Sequence, residues 1–232
     1  KIQKTQQFFD VRFYPINGDG LESVTTIITA IYPKPWLVQL ISNIGSAEAT
    51  IRKEIAGERG SNVHDALQHN AVVNRANFDD EEWLALIRAR LFLNQYKPKT
   101  IINEEWAWSI KHHFACRIDR LVLMNNKNTL IDWKTGFPKV EDWYQLAAQK
   151  LAIEEKHDIS VERWGLVYLN AKVKAGWKYA DIAERDDVEE LVKKNVDLEE
   201  AIKQAYNGDI ETFHHLHAIW KVVFKNLKPR RY

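Results

Sequence analysis

The stretch from Ala115 to Ile153 most constrains how this chain can fold, because it holds two alternating apolar runs on either side of a polar cluster. The cluster reads Asn-Asn-Lys-Asn, which is typical of a tight β-hairpin turn. Each apolar run carries one aspartate, Asp119 in the first and Asp132 in the second. A Thr-Gly-Phe-Pro segment then ends the strand pattern, and a helical pattern begins at Glu141. The stretch therefore predicts a hairpin followed by a helix.

The predicted hairpin places charged side chains on adjacent strands. Because strand side chains alternate between faces, Asp119 shares a face with Leu121 and Leu123. By the same rule Asp132 points the same way as Lys134, about 6–7 Å away along the strand. Two carboxylates and an amine on an otherwise apolar face are costly unless something pairs them. A divalent cation such as Mg²⁺, which takes oxygen ligands and usually keeps several waters, would do so, and the pattern predicts such a site.

In this order the residues resemble the PD-(D/E)XK nuclease superfamily, in its RecB-like exonuclease branch. The core motif of that branch is an Asp, then Asp-x-Lys after a hairpin, then a helix that bears a Gln. Here these are Asp119, Asp132-Trp133-Lys134 and Gln145, and Ile-Asp-Trp-Lys-Thr-Gly is the most specific string. The resemblance implies an α/β fold with a restriction-endonuclease-like core. In that core a mixed central sheet is flanked by helices, with additional N-terminal and C-terminal helices.

Segments before the hairpin extend the resemblance, and the first lies in a helical pattern that is predicted over 46–73. Gly60-Ser61-Asn62-Val63-His64 resembles the Gly-x-x-x-His motif of the family, whose histidine is a metal ligand. Gly60 falls one turn before His64, and the missing side chain there would let another backbone segment approach closely. A shorter string, Ser-Val-Thr-Thr-Ile-Ile from Ser23, resembles an entry segment that precedes the nuclease core. The family also has an acidic residue on the strand before the first Asp. Glu104 fits its offset best, and Glu105 is the alternative.

Two positions depart from the family pattern. The helix motif is usually Gln-x-x-x-Tyr, but Gln149 stands where the Tyr would be. Cys116 takes the place of the usual Gly before the first Asp. The role of the helix motif is therefore open on the sequence alone.

The resemblance implies a role for each matched residue. It implies that Mg²⁺ or Mn²⁺ is held by three side chains and one carbonyl: His64, Asp119, Asp132 and the carbonyl of Trp133. Glu104 would support the site or a second metal, Lys134 would position or deprotonate the attacking water or contact the phosphate, and Gln145 would contact DNA or the site.

The resulting hypothesis is a metal-dependent DNA exonuclease that hydrolyses phosphodiester bonds in DNA repair, recombination or the processing of phage or genomic DNA. Its partner would be single- or double-stranded DNA, which it would bind at the ends. No association with a membrane is predicted. One alternative is a catalytically silent nuclease-fold module that binds nucleic acid or a recombination partner. Another is an unrelated α/β enzyme in which Asp-Trp-Lys is coincidental. No Gly-x-x-x-x-Gly-Lys loop is present in the sequence, so no helicase motor is predicted.

The length of 232 residues predicts a single domain. Its core would span about 46–180, with an entry segment at 1–45 and a C-terminal helical hairpin at about 183–228. The hairpin is predicted from helical patterns over 186–206 and 210–227, which Gly208 separates. A net charge of +1 requires a nuclease to concentrate its positive charge locally. A single cysteine, Cys116, favours the cytoplasm or another reducing compartment, and no apolar run has the length of a membrane span.

Overall fold

A computed structural model describes residues 6–8, 11–17, 19–68 and 74–227 of the chain. Eight strands in these residues form one sheet: β1 (Gln6–Phe8), β2 (Val11–Ile16), β3 (Asp19–Ser23), β4 (Lys99–Ser109), β5 (Phe114–Met124), β6 (Lys127–Lys134), β7 (Arg163–Tyr168) and β8 (Lys178–Asp181). The α-helices are α1 (Val24–Ile31), α2 (Pro35–Ile44), α3 (Ser46–Gln68), α4 (Asp80–Tyr96), α5 (Glu141–His157), α6 (Asp186–Lys193) and α7 (Leu198–Val223).

The sheet is mixed. Its strands are ordered β1-β2-β3-β5-β6-β7-β8, and β4 also pairs with β5. The β3–β5 and β6–β7 pairs are parallel, whereas the other pairs are antiparallel. The predicted α/β class with a mixed sheet and flanking helices is therefore confirmed.

Helices cover both faces of this sheet because its central strands are apolar on both sides. On β6 and β7, Leu130 and Leu166 pack in one buried cluster with residues of α1, α5 and α7. Their neighbours Ile131 and Val167 pack in a second cluster with residues of α3 and α4. Such a two-sided apolar pattern is the one expected of strands buried on both faces. The first cluster also draws on β2 through Phe13, so the entry segment and the C-terminal helices belong to the same core as the hairpin.

Strands β3 and β6 pair with different parts of the same edge of β5, and β4 pairs with the other edge. Phe114 and Ala115 pair with β3 and also with β4, so these two strands lie on opposite edges of β5. Residues from Arg120 onward pair with β6 and with β4, so β6 lies on the same edge as β3. Within the described residues, positions 116–119 of that edge have no strand partner, which leaves a gap between β3 and β6.

Three sequence predictions need correction or completion. The C-terminal hairpin breaks at 194–197 and not at Gly208, because Asn195 adopts a left-handed φ of 64° and Asp197 caps α7 by accepting from the N–H of Glu199. Exposed Gly208 stays inside α7, since the buried face of the helix outweighs a cost of about 1 kcal/mol. The entry segment contains a strand, β3, that was not predicted. The predicted helix over 46–73 is helical to residue 68, and 69–73 lie outside the described residues.

No helix among the described residues is both long enough and apolar enough to cross a membrane.

Candidate metal centre

The predicted hairpin is present, and its turn fixes the register of the two aspartates. Asn125 and Asn126 have φ values of 51° and 60°, the left-handed geometry that a two-residue hairpin turn requires. The ladder runs from the pair Met124–Lys127 to the pair Arg120–Ile131, so Asp119 and Asp132 occupy the next position. There the backbone N–H of Trp133 donates to Asp119 Oδ2 at 2.8 Å. The first aspartate is therefore anchored to the strand that carries the second.

A compact group of three residues lies beside this anchor. His64 on α3, Glu104 on β4 and Asp119 on β5 each offer one ligand atom, and these three atoms lie within 4.8 Å of one another. His64 Nδ1 is 3.4 Å from Asp119 Oδ1 and 3.5 Å from Glu104 Oε1. Among the described residues this is the one group of three with such spacing. One imidazole and two carboxylates are a donor set that suits Mn²⁺ or Mg²⁺ completed by water.

Glu104 faces Asp119 across the sheet. Asn103 pairs with Arg120 and Glu105 with Ile118, so the register puts Glu104 opposite Asp119. Glu104 has a φ of 51°, which is uncommon for a non-glycine residue and rarer still inside a strand. Like charges directly opposite each other destabilise a strand pair. Strain and repulsion at one position point to a functional constraint on it.

The structure also distinguishes the two glutamates of β4. The side chain of Glu104 is 2% exposed and turns toward His64. Glu105 is exposed and contacts the ammonium of Lys156 at 2.6 Å on α5. Arg117 Nε pairs with Glu104 Oε2 at 2.9 Å, but no hydrogen bond from any described residue reaches Glu104 Oε1. A buried carboxylate oxygen without a donor is the kind of atom that a cation would bind.

The electrostatics of the group follow from burial and crowding. Burial disfavours the charged form of His64, but the carboxylates of Asp119 and Glu104 outweigh it and raise the pKa of His64 well above its usual value. Burial, and then the nearby charge of Asp119, raise the pKa of Asp132. Negative charge is therefore in excess here, and positive charge is stabilised.

Asp132 points away from this group toward α5. Its Oδ1 accepts from Gln145 Nε2 at 2.9 Å and from Gln149 Nε2 at 3.3 Å. Its Oδ2 lies 2.7 Å from the ammonium of Lys134, which also donates to Gln145 Oε1 at 3.1 Å. The structure thus joins Asp132, Lys134 and Gln145 in one network, next to His64, Glu104 and Asp119 in another.

Asp142 is a member of the lysine network that the sequence analysis missed. Its Oδ1 lies 3.4 Å from Lys134 Nζ, and its Oδ2 accepts from the N–H of Lys139. Burial would lower the pKa of Lys134, but the charges of Asp132 and Asp142 raise it above its usual value. Lys134 is therefore held as an ammonium, which suits contact with a phosphate. A general-base role requires a neighbouring cation to lower this pKa.

The two remaining sequence predictions concern Trp133 and Gly60. The side chain of Trp133 is buried in the second cluster, as 1% exposure shows. Its N–H faces Asp119, and its carbonyl leaves the strand on the same edge, since the two groups of one strand residue point to one side. A Cβ at Gly60 would lie 3.5 Å from Thr135 Oγ1, an ordinary contact. The close approach expected at Gly60 therefore does not depend on glycine.

A cleft of about 430 Å³ adjoins the site between α3, α4 and the loop after Lys134. Its walls include Val63, which precedes His64, and Thr135, which follows Lys134. Four basic side chains line it, against two acidic ones: Arg52, Lys53, Arg59 and Lys139, against Glu81 and Glu82. Basic side chains therefore outnumber acidic ones in the lining itself, and two of them are held in ion pairs, Arg52 with Glu48 and Arg59 with Asp79 and Glu81.

No protein-family model matches this chain, and no curated protein matches it in sequence.

Proposed function

We propose that the chain is a Mg²⁺- or Mn²⁺-dependent deoxyribonuclease with a restriction-endonuclease-like core, of the RecB-like branch of the PD-(D/E)XK superfamily. The observation that carries the proposal is the buried pair Glu104 and Asp119, opposite each other on adjacent strands, with His64 beside both. A cation bound between the two carboxylates would offset their mutual repulsion. It would also give a partner to Glu104 Oε1, which accepts no hydrogen bond from any described residue.

The two networks of side chains would have different roles in cleavage. His64, Glu104 and Asp119 would hold the metal. From β6 the carbonyl of Trp133 would join them, and Asp132 would do so once its side chain turns from Gln145 toward the ion. A bound metal would supply Lewis-acid chemistry: it would lower the pKa of a bound water and shield the charge of the phosphodiester. The ammonium of Lys134 would act on the scissile phosphate as a point charge. Gln145 bridges Asp132 and Lys134 and keeps both at fixed positions.

The neighbouring cleft supports a polyanionic substrate. Basic side chains attract phosphates and release counterions, so binding to the cleft should weaken steeply with salt. Phe137 stands on the loop after Lys134 with 77% of its surface exposed. An exposed aromatic ring beside a basic groove is able to stack on a base. DNA, and DNA ends in particular, is the substrate class that we assign to this site.

Cleavage of end-labelled linear DNA and of closed circular DNA tests the proposal, with Mg²⁺ or Mn²⁺ and then with excess chelator. We expect linear DNA to be degraded only with metal. Asp132→Asn should abolish this activity. The matched control is Asp158→Asn, because Asp158 is an exposed aspartate at the end of α5. This variant should cleave normally. Undiminished cleavage in chelator would overturn the metal mechanism. Equal attack on closed circles would remove the exonuclease assignment.

A further inference from the structure

Histidines are concentrated far from the candidate metal centre. Five of the eight in the chain fall in two short segments, His112–His113 before β5 and His214, His215 and His217 on α7. The structure packs these segments together, with the rings of His112 and His214 stacked at 4.7 Å between centroids. Phe114, next to His113, is five residues from Asp119 on β5. The histidine cluster therefore lies roughly 16 Å from the candidate metal centre, which is called the first site below.

Glu22, on β3, is the carboxylate at the centre of this cluster. It pairs with Phe114 in the parallel β3–β5 ladder, and its side chain is 10% exposed. His113 Nδ1 lies 2.7 Å from Glu22 Oε2, and His217 Nε2 lies 3.7 Å from the same oxygen. Two imidazoles from two different elements therefore converge on one buried carboxylate.

His217 has an unmet requirement for a partner. Its side chain is 4% exposed, and no described residue makes a hydrogen bond with its Nε2. At 3.7 Å, Glu22 is too far for a hydrogen bond. Buried polar nitrogens usually have a partner, and each exception calls for an explanation such as an ion. The nearest charged atom to this nitrogen is the same Glu22 oxygen that His113 contacts.

We propose that Glu22, His113 and His217 form a second metal site, one for a transition ion of the Zn²⁺ class. Two imidazoles and one carboxylate are a common Zn²⁺ set in which a fourth position stays open to water. Imidazole nitrogen suits Zn²⁺ and its neighbours, whereas Mg²⁺ prefers oxygen. The two sites therefore differ in the ion that they select. The second site ties the sheet to α7 and plays no part in cleavage.

A cavity of about 440 Å³ reaches two of the three residues, since Glu22 and His113 line it together with Trp220. His217 is not part of its lining, so an ion would enter from the side of Glu22 and His113. Lys221 and Lys225 also line the cavity, and their charge favours an anionic fourth ligand such as hydroxide.

The ligand atoms are wider apart than those of the first group, so closure around an ion requires one of them to move. His113 is the residue able to do so. Its side chain is 45% exposed, and it sits at the end of a turn with a φ of 62°. Glu22 and His217, which are buried, supply the fixed part of the site.

Titration of the metal-depleted protein with Zn²⁺ against a chromophoric chelator, and with Co²⁺ by visible absorption, tests the site. His113→Ala is the informative variant because its exposed side chain contributes little to packing, and Glu22→Gln is a second variant with nearly the same shape. His64→Ala is the matched variant for the first site. We expect His113→Ala and Glu22→Gln each to lose one bound equivalent that His64→Ala retains. The absorption bands of four-coordinate Co²⁺ should vanish with it.

Three outcomes would overturn the proposal. The first is that His113→Ala binds as much Zn²⁺ as the unsubstituted protein. The second is that the His64→Ala protein binds no Zn²⁺. The third is that His113→Ala has a lower melting temperature but unchanged metal binding. The last would make the cluster an ion pair only. Mg²⁺-dependent DNA cleavage by His113→Ala is read separately. It should match the unsubstituted protein, so failure of the second site leaves the nuclease proposal untouched.

Discussion

Replacing Lys134 by methionine separates the structural role of this residue from its chemical one. The side chain is 18% exposed, and its ammonium touches Asp132 at 2.7 Å, Gln145 at 3.1 Å and Asp142 at 3.4 Å. Methionine keeps the length and the apolar stem but removes the charge. Two buried carboxylates are then left without their cation, so Lys134→Met should be both less stable and less active.

The size of each loss follows from the burial of the network. Breaking a buried ion pair by removing one partner costs about 3–5 kcal/mol. A chain of this length loses about 2–4 °C of melting temperature per kcal/mol, so the melting temperature should fall by about 6–20 °C. Loss of one group that stabilises the charge of a transition state lowers a cleavage rate by about 10²–10³-fold. Mn²⁺ binding should be retained or tightened, because a like charge near the cation is gone.

A second substitution separates the two losses. Asp142→Asn keeps an oxygen that can accept from the N–H of Lys139, and it removes one of the stranded charges. The double variant with Lys134→Met should therefore recover part of the melting temperature, with a coupling of about 0.5–3 kcal/mol. It should recover none of the cleavage rate. Asp142→Asn alone is the control for any effect of the amide.

Thermal unfolding of the metal-free proteins, calorimetric Mn²⁺ titration and single-turnover cleavage measure these three quantities. A Lys134→Met protein that cuts at nearly the rate of the unsubstituted one would show that Lys134 is not catalytic. Recovery of cleavage together with stability in the double variant would show that the loss was only structural.

Three further substitutions test other parts of the molecule. His64→Ala should shrink the rise in melting temperature that Mn²⁺ causes, because it removes a ligand, and an unchanged rise would contradict the ligand role. Hydrogen bonds from Arg163, and then from Lys127, lower the pKa of Glu199 to about 2, so its stabilisation is present above about pH 5 and is lost as the pH falls toward 2. Glu199→Gln should therefore lower the melting temperature by about 1 °C at pH 7 and by nothing near pH 2, and a pH-independent difference would count against the pair. Gly165→Ala should destabilise by about 1–3 kcal/mol in thermal unfolding, because its Cβ would lie 2.7 Å from a backbone oxygen of β8, and an unaltered melting temperature would refute this.

The hairpin and its aspartates could be predicted because their signals are local. Alternating apolar residues and a two-residue asparagine turn each specify geometry within a few positions. The same holds for α5, which was predicted from 141 and begins at Glu141. The break in the C-terminal helices was misplaced because Gly208 is a weak signal, whereas the left-handed conformation of Asn195 leaves little trace in sequence.

Interactions between distant segments could not be derived from sequence. Asp142 stands in the first turn of α5, where an acidic residue is favoured by the helix dipole regardless of function. Its contact with Lys134 exists because α5 packs on the face of β6 that carries this lysine. The choice between Glu104 and Glu105 likewise depends on the left-handed backbone at Glu104, which period-two alternation does not foresee.

In the motif that the sequence resembles, tyrosine stands at the position of Gln149, and the gap in the sheet gives the glutamine a role that tyrosine could not fill. Along the edge of β5 that β3 and β6 share, the described strands leave positions 116–119 unpaired, yet buried backbone groups need partners. Side chains fill that need. Gln149 Nε2 donates to the carbonyl of Arg117 at 3.2 Å, and Asp119 Oδ2 accepts from the N–H of Trp133 at 2.8 Å. The same Gln149 nitrogen also donates to Asp132 Oδ1. One amide group therefore both satisfies a backbone carbonyl in the gap and orients Asp132. A tyrosine hydroxyl has a single hydrogen to donate, whereas the amide has two and can serve both oxygens at once. Gln149 therefore links the backbone of β5 to the side chain of Asp132 across the gap that the strand order creates.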